Sequence, residues 1–344
     1  CTEPKEKFKK KIRFIDKTIF IKTRRIEKYF NILFFFMMGK PLQVGYFFSS
    51  EMRAKINEIK KDYDAIIFHL IRSGEFLPKN YEGTKILEMT DLISKNYSQL
   101  YKKLNFINPL KYLYLIEQVL LEKYEKKIAE SFDRIVLVSK RDGKYFSIGN
   151  KVKKRVQIIS NGTDIKKKKY NFKKKNKDII FIGNINYLPN KIACYDFIKT
   201  TMPKLEMKGI NITFKIIGQT SNLLKFYLTR FKNVEVYNNI IFPEKLCNNA
   251  ICGVSNLSVV TGIQNKIMEY MRIGLPTIVS EKCFDNLNFI KNKDLLVYKN
   301  QDEFVKQIIK LKTEKQFAKK ISNNCYRKIR SNYTWEKSLK KYKN

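Results

Sequence analysis

Residues 251–279 read ICGVSNLSVVTGIQNKIMEYMRIGLPTIV, and this stretch decides the fold. Residues 251–254 form an apolar run that reads as a buried strand. Residues 265–273 read as a helix, and Gly274 and Pro276 follow it in the order that stops one. Residues 277–279 read as the next strand. A strand, a helix and a second strand so close together imply a crossover unit within a parallel sheet.

The flanking chain repeats this alternation. Before it come strands at 178–182, 212–217 (ending in Gly218) and 234–236, a helix over 190–205 and a short helix at 243–249. The longer helix carries Ala193, Phe197, Ile198 and Met202 on one face. After it come a strand at 295–297 and helices to the end. The first half gives strands at 64–70, 85–89, 134–138 and 156–159, the last running into the turn Asn161–Gly162. A helix over 111–131 has Leu113, Ile116, Leu120, Tyr124 and Ile128 at helical spacing. Between the halves lies IKKKKYNFKKKNK, residues 165–177, charged and aperiodic, which reads as a linker or exposed loop at a domain boundary. The expected class is α/β, with two sheets carrying helices on both faces and a ligand cleft between two domains.

At 344 residues and 44% hydrophobic composition, the chain has enough length and apolar content for two such domains. The net charge of +38 has three readings: a nucleic-acid footprint, attraction to an anionic membrane, or surface positions that drifted to Lys. Arg clusters with stacked aromatics are not evident, which favours the last two over nucleic acid. The basic positions include Lys9, Lys10, Lys11, Arg24, Arg25, Lys102, Lys103, Lys126 and Lys127. The six cysteines form no CxxC pair and accompany no His cluster, so a metal site is not expected and a reducing compartment is. The longest apolar run, 32–38, is far short of the ~20 residues of a membrane span.

In open parallel sheets, ligands bind beyond the carboxyl ends of the strands. Three segments fall there. In the first, Gly262 permits close backbone approach, the helix start offers N–H groups to a phosphate, Lys266 adds a cation, and Glu269 lies one turn on, within reach of ribose hydroxyls. The plainer reading of those residues is a capped helix with a surface Lys and Glu. The second segment, residues 181–191, is a phosphate-compatible turn with Gly183 after a strand and Pro189–Asn190 before a helix. In the third, His69 and Arg72 follow one strand, and Asp91 and Ser94 follow the next. His69 is the single histidine of the chain, and a lone histidine is more often structural than catalytic.

TGIQNKIMEYMRIGLPTIVS resembles the G-x-Q-N-K-x-x-E-A-M-A-x-G-x-P-V-V signature of glycosyltransferase family 4. FIGNINYLPNKIACYDF looks like that branch's F-x-G-x-x-x-Y-x-P-N segment, and VQIISNGTD looks like its V-x-x-x-P-N-G-V-D linker. MGKPLQVGYF, IIFHLIRSGEF, MTDLISKNYSQLY and KYEKKIAESFDRIVLVSKRD resemble it too, in the right order, so the resemblance covers nearly the whole chain. It implies a GT-B fold of two Rossmann-like domains. The expected domains are residues 1–162 on the acceptor side, 163–320 holding the nucleotide sugar, and a helix at 321–344 returning toward the first. It also implies that the first strand, helix and second strand of the N-terminal domain are missing.

The implied chemistry is transfer of a sugar, with retention of configuration, from a UDP- or GDP-sugar to a hydroxyl of a glycan or lipid-linked acceptor. This belongs to polysaccharide biosynthesis at the cytoplasmic face of the membrane, with no cofactor, protein-bound metal or nucleic acid. Donor residues would be Gly183, Asn184, Gly262, Ile263, Gln264, Asn265, Lys266 and Glu269, and catalytic ones Asp91, His69 and Arg72. The chain departs from the pattern at Thr261, where a second glutamate is common; at Asn184, where an arginine is; at Tyr270, where an alanine is; and at Ser160, where a proline is. Alternatives from other classes are a basic nucleic-acid-binding protein and a non-catalytic remnant of the same fold.

Overall fold

The structure, a computed structural model, describes residues 15–342 other than 150, 239, 241, 242, 248 and 286. Its first elements are α1 Arg25–Met37, α2 Leu42–Phe47, α3 Ser50–Ile59, β1 Ala65–His69, β2 Thr84–Thr90, α4 Ile93–Lys103, α5 Pro109–Ala129, β3 Arg134–Leu137, α6 Lys140–Ser147 and β4 Val156–Ile158. There follow β5 Asp178–Ile182, α7 Leu188–Asp196, α8 Met202–Met207, β6 Thr213–Ile217, α9 Asn222–Thr229, β7 Val234–Tyr237 and β8 Ala250–Ser255. The last are α10 Asn265–Met271, β9 Thr277–Ser280, α11 Glu281–Phe284, β10 Leu296–Tyr298, α12 Gln301–Thr313, α13 Lys315–Asn332 and α14 Trp335–Leu339.

One sheet has the order β1-β2-β3-β4 and the other β10-β9-β8-β5-β6-β7. The pairs β1–β2, β5–β6, β5–β8, β6–β7, β8–β9 and β9–β10 are all parallel, so the α/β class expected from the alternation holds. In the larger sheet the strand order reverses at β5, with β6 on one side and β8 on the other. That switch point is where such a sheet opens a crevice for a ligand.

By contacts the chain divides into two compact units, Cys1–Met89 with Val119–Ile135, and Thr90–Gln118 with Val136–Asn344. In the first, Phe35 packs on Phe48 at 5.0 Å and Phe48 stacks on Phe76 at 5.5 Å, with Ile71 and Val44 fully buried beside them. Glu75 gathers the polar groups of this unit, accepting from Lys40 (2.7 Å), Arg53 (3.2 Å) and Tyr124 (3.0 Å). In the second unit, the strand residues Ile179, Phe181, Phe214, Ile216, Val254 and Ile278 join Phe197, Ile267 and Phe304 in one continuous core. Both faces of β5 are buried, as the unbroken apolar run of a central parallel strand requires.

Several elements differ from expectation. The helix expected over 190–205 begins at Leu188 and is interrupted by a wide turn at Phe197–Thr201 before α8 resumes. The short helix expected to reach residue 249 is a tight 3-10 turn, Pro243–Cys247. The basic run 165–177 has no regular structure but is no free linker. The N–H groups of Lys169 and Tyr170 both donate to the Ile273 carbonyl, and buried Asn176 donates to Asn171 and Ala250 carbonyls. Apolar Ile165, Tyr170 and Phe172, hidden among the lysines, pack against the core and hold it down.

Candidate functional site

The paired residues of β5 and β8 end at Ile180 and Gly253. Beyond them Tyr270 of α10, fully buried, bridges the strands: its hydroxyl accepts from Ile182 N (2.8 Å) and donates to Val254 O (3.2 Å). A Cβ on Gly253 would stand 2.3 Å from the Tyr270 ring, so the glycine makes room for the phenol. The tyrosine that departs from the resembled pattern thus continues the ladder where the strands part. Just past that point, Gly183 and Gly218 (φ +143°) bring two strand ends together, with a Cβ on Gly218 only 2.0 Å from the Gly183 carbonyl oxygen.

Beside this turn lies Lys266, 7% exposed. Its ammonium donates to Asn190 Oδ1 at 2.7 Å and lies 3.8 Å from the centre of the Phe181 ring. Asn190 is itself fixed by donating to the Asn184 carbonyl at 2.8 Å. A Cβ on Gly183 would be 3.4 Å from the Lys266 ammonium, which places the glycine turn against the cation. Burial brings the Lys266 pKa down to about 8. A surface lysine, the plainer sequence reading, is excluded.

The loop before α10 is held by its own set of bonds. Asn96 donates to Thr261 Oγ1 (3.0 Å) and to the Tyr187 hydroxyl (2.6 Å), and Thr261 donates to Asp91 Oδ2 (2.8 Å). Gln99 pairs with both the N–H and the carbonyl of Val260 at 3.0 and 2.9 Å, as a strand neighbour would. Gly262 takes φ +61°, and its N–H donates to Asp142 Oδ2 at 2.7 Å. That N–H, expected to face a phosphate, is therefore committed to a carboxylate. Burial raises the Asp142 pKa, with nearby Asp91 adding to the rise and the Gly262 and Ser139 bonds opposing it. Thr90, directly before Asp91, holds φ +66°, a conformation that strains a β-branched residue and is typical of functional turns.

The remaining expected donor residues are placed as follows. Gln264 donates to the Thr261 carbonyl (3.2 Å), Asn265 accepts from Asn161 (2.8 Å), and Ile263 is half-buried against the core. Asn184 is exposed. Glu269 is one third exposed and held by Arg272, whose Nη2 and Nε lie 2.6 and 2.7 Å from its Oε2. Arg272 is 9% exposed and also lies 3.7 Å from Glu244. His69 and Arg72 belong to the first unit. His69 is exposed and pairs with Glu88 at 3.2 Å, a hydrogen bond that raises its pKa, and Arg72 stacks 4.0 Å over the Phe47 ring. Sequence reasoning missed Asn96, Gln99, Asp142 and Tyr187. Two of them carried a signal: Tyr187 is the tyrosine of the F-x-G-x-x-x-Y-x-P-N segment, and Asp142 closes the capping pattern Ser139-x-x-Asp142, in which its N–H donates to the serine at 3.0 Å. Among the described residues, no group of three His, Cys, Asp or Glu is placed to hold a metal.

The two sheets of this α/β chain and its likeness to solved structures give it the GT-B fold. Residues 176–314 match the family described as Glycosyl transferases group 1. Among solved structures the chain is similar to TarM, with TM-score 0.65 and 15% identity over 85% of this chain and 56% of that one. It is similar to Anabaena HepE in complex with UDP and glucose, with TM-score 0.66 and 12% identity over 84% and 79%. It is also similar to a sucrose-phosphate synthase from Thermosynechococcus elongatus, with TM-score 0.66 and 13% identity over 84% and 75%. The chain spans just over half the length of TarM, and at these identities the likeness is one of fold. No curated protein matches it in sequence.

Proposed function

We propose that the chain is a glycosyltransferase that moves a sugar from a nucleotide-diphosphate sugar to a hydroxyl. The carrying observation is the buried Lys266 ammonium, held by one amide oxygen and one ring beside the Gly183 turn. A cation so poorly solvated gains from a diphosphate that replaces its lost water. As the bond from sugar to diphosphate breaks, charge grows on the leaving phosphate and Lys266 stabilises it. Glu269 Oε1 meets the ribose while Arg272 holds Oε2. Asn184, Gly262, Ile263, Gln264 and Asn265 complete the donor side in this reading, within a donor domain of residues 163–320. Asp91 serves the reacting centre in this reading. The acceptor in this reading is a glycan or lipid-linked precursor, the product retains configuration, and the net charge of +38 draws the protein to an anionic membrane. The HepE complex with UDP and glucose supports a UDP-sugar.

A second reading, a non-catalytic member of the fold, is favoured by Thr261 and by the Gly262 N–H being occupied by Asp142. One screen separates them. Unfolding midpoints are measured with UDP, GDP, ADP and their sugars, since a ligand that binds the folded state raises the midpoint with its affinity. A rise with one nucleotide sugar that vanishes in Lys266→Met supports the donor site. No rise with any of them leaves the scaffold reading.

A further inference from the structure

Helix α1 turns its apolar side outward. Ile26, Tyr29, Phe30, Leu33, Phe34 and Met37 recur at intervals of three and four and so share one face, and their exposures run from 58% at Leu33 to 79% at Met37. The opposite side is anchored. Phe35 is buried against Phe48, and α2 comes so close at Gly45 that a Cβ there would stand 2.5 Å from the Asn31 carbonyl oxygen. The helix therefore cannot roll to hide its stripe without breaking that contact. Basic groups lie at its start: exposed Lys22, Arg24 and Arg25 lead into it, while Lys28 is on the packed side, 4.7 Å over the Tyr46 ring. Its single acidic residue, Glu27, accepts from Ser50.

An apolar face of this kind calls for a cover. A second copy would bring another chain of charge +38 against this one, which repulsion opposes. An anionic bilayer offers both an apolar interior and negative headgroups. At 13 residues the helix is about 20 Å long, too short to cross, and no described helix is long and apolar enough to span a membrane. We propose that α1 lies flat in the surface of an anionic bilayer, its stripe among the upper acyl chains and Lys22, Arg24 and Arg25 at the headgroups. This rests on the membrane partner proposed above and not on the sugar chemistry. It adds that binding is by insertion of one rigid helix rather than by diffuse charge alone.

The test is sedimentation with phosphatidylcholine vesicles, with and without phosphatidylglycerol, at low and high salt. The wild-type chain is expected to bind the anionic vesicles and to keep part of that binding at high salt. A Phe30→Ser, Phe34→Ser variant should lose about tenfold or more in partition, and what remains should be fully salt-reversible. Its circular dichroism and unfolding midpoint should match wild type, because both rings are exposed. Equal binding by the variant would overturn the role of α1 while leaving a charge-driven membrane partner intact. No wild-type binding to either vesicle would overturn both. A concentration-dependent dimer that the variant abolishes, without vesicle binding, would assign the stripe to a second copy instead.

Discussion

The Lys266 ammonium loses water on folding and recovers one hydrogen bond and a ring face, which leaves its pKa near 8. Against an ordinary value of 10.5, that burial costs roughly 3 kcal/mol in the folded state below pH 8. The unfolded chain binds the extra proton between the two values, so this cost is relieved as pH rises from about 8 toward 10.5. Lys266→Met should therefore be more stable than wild type at pH 7, and the gap in unfolding midpoint should narrow steadily as pH rises from about 8 toward 10.5. Nucleotide affinity should run the other way, falling as pH rises above about 8 and the free ammonium deprotonates; calorimetry at pH 7 and 9 checks both the slope and its loss in the variant. Glu269→Gln keeps an acceptor and removes the charge, so nucleotide affinity should drop about tenfold. Glu244 stays beside Arg272 and limits the effect on folding. Unchanged affinity with a lowered midpoint would make Glu269 a structural partner of Arg272 only. The motif displayed Lys266 and Glu269 in the sequence, but not their partners. Asn190 stands 76 positions from Lys266, and Asn96 165 from Thr261, and no local periodicity links residues that far apart.

Elements were legible where they are long or central. Strand β5 matches its expected residues, and most other strands lie within a residue or two of theirs, because buried parallel strands are written as apolar runs. The wide turn at Phe197–Thr201 was not legible, since its apolar spacing continues the helix around it. The run 32–38 was visibly apolar, yet only packing shows that α1 keeps much of it in solvent. Tyr270 and Gly253 belong to the same scale, a helix and a strand fitted to each other. Gly253→Ala should destabilise by about 1–3 kcal/mol through overpacking. In a Tyr270→Ala background that penalty should disappear, because the ring it meets is gone. Denaturant unfolding of the four chains gives the coupling directly, and additive losses would mean the two do not share their space.

Across the whole chain, 70 basic side chains face 32 acidic ones, and few of the described ion pairs are buried. Self-repulsion of this size weakens the folded state at low ionic strength, where charges feel each other over about 30 Å at 0.01 M and about 10 Å at 0.1 M. The unfolding midpoint should rise by several degrees between those salt concentrations and level off once screening is complete. A midpoint that falls with added salt would mean that attractive pairs, not repulsion, dominate. The charge was legible from composition, but what it serves was not, since lysines on a solvated surface look alike whether they repel, dissolve or dock.

The bonds from Asn96 and Gln99 to Thr261 and Val260 also set an order in time. Synthesis delivers α4 long before the loop that holds it, with some 160 residues to be made in between. Until then Leu100, buried in the finished protein, has only early neighbours. The contacts that hold α4 in its compact unit cannot all form before residues 260 and 261 have been made. A nascent chain halted before residue 260 should therefore remain protease-sensitive across residues 90–118. Chaperone demand would peak there, in the interval when α4 has been made and its partner loop has not.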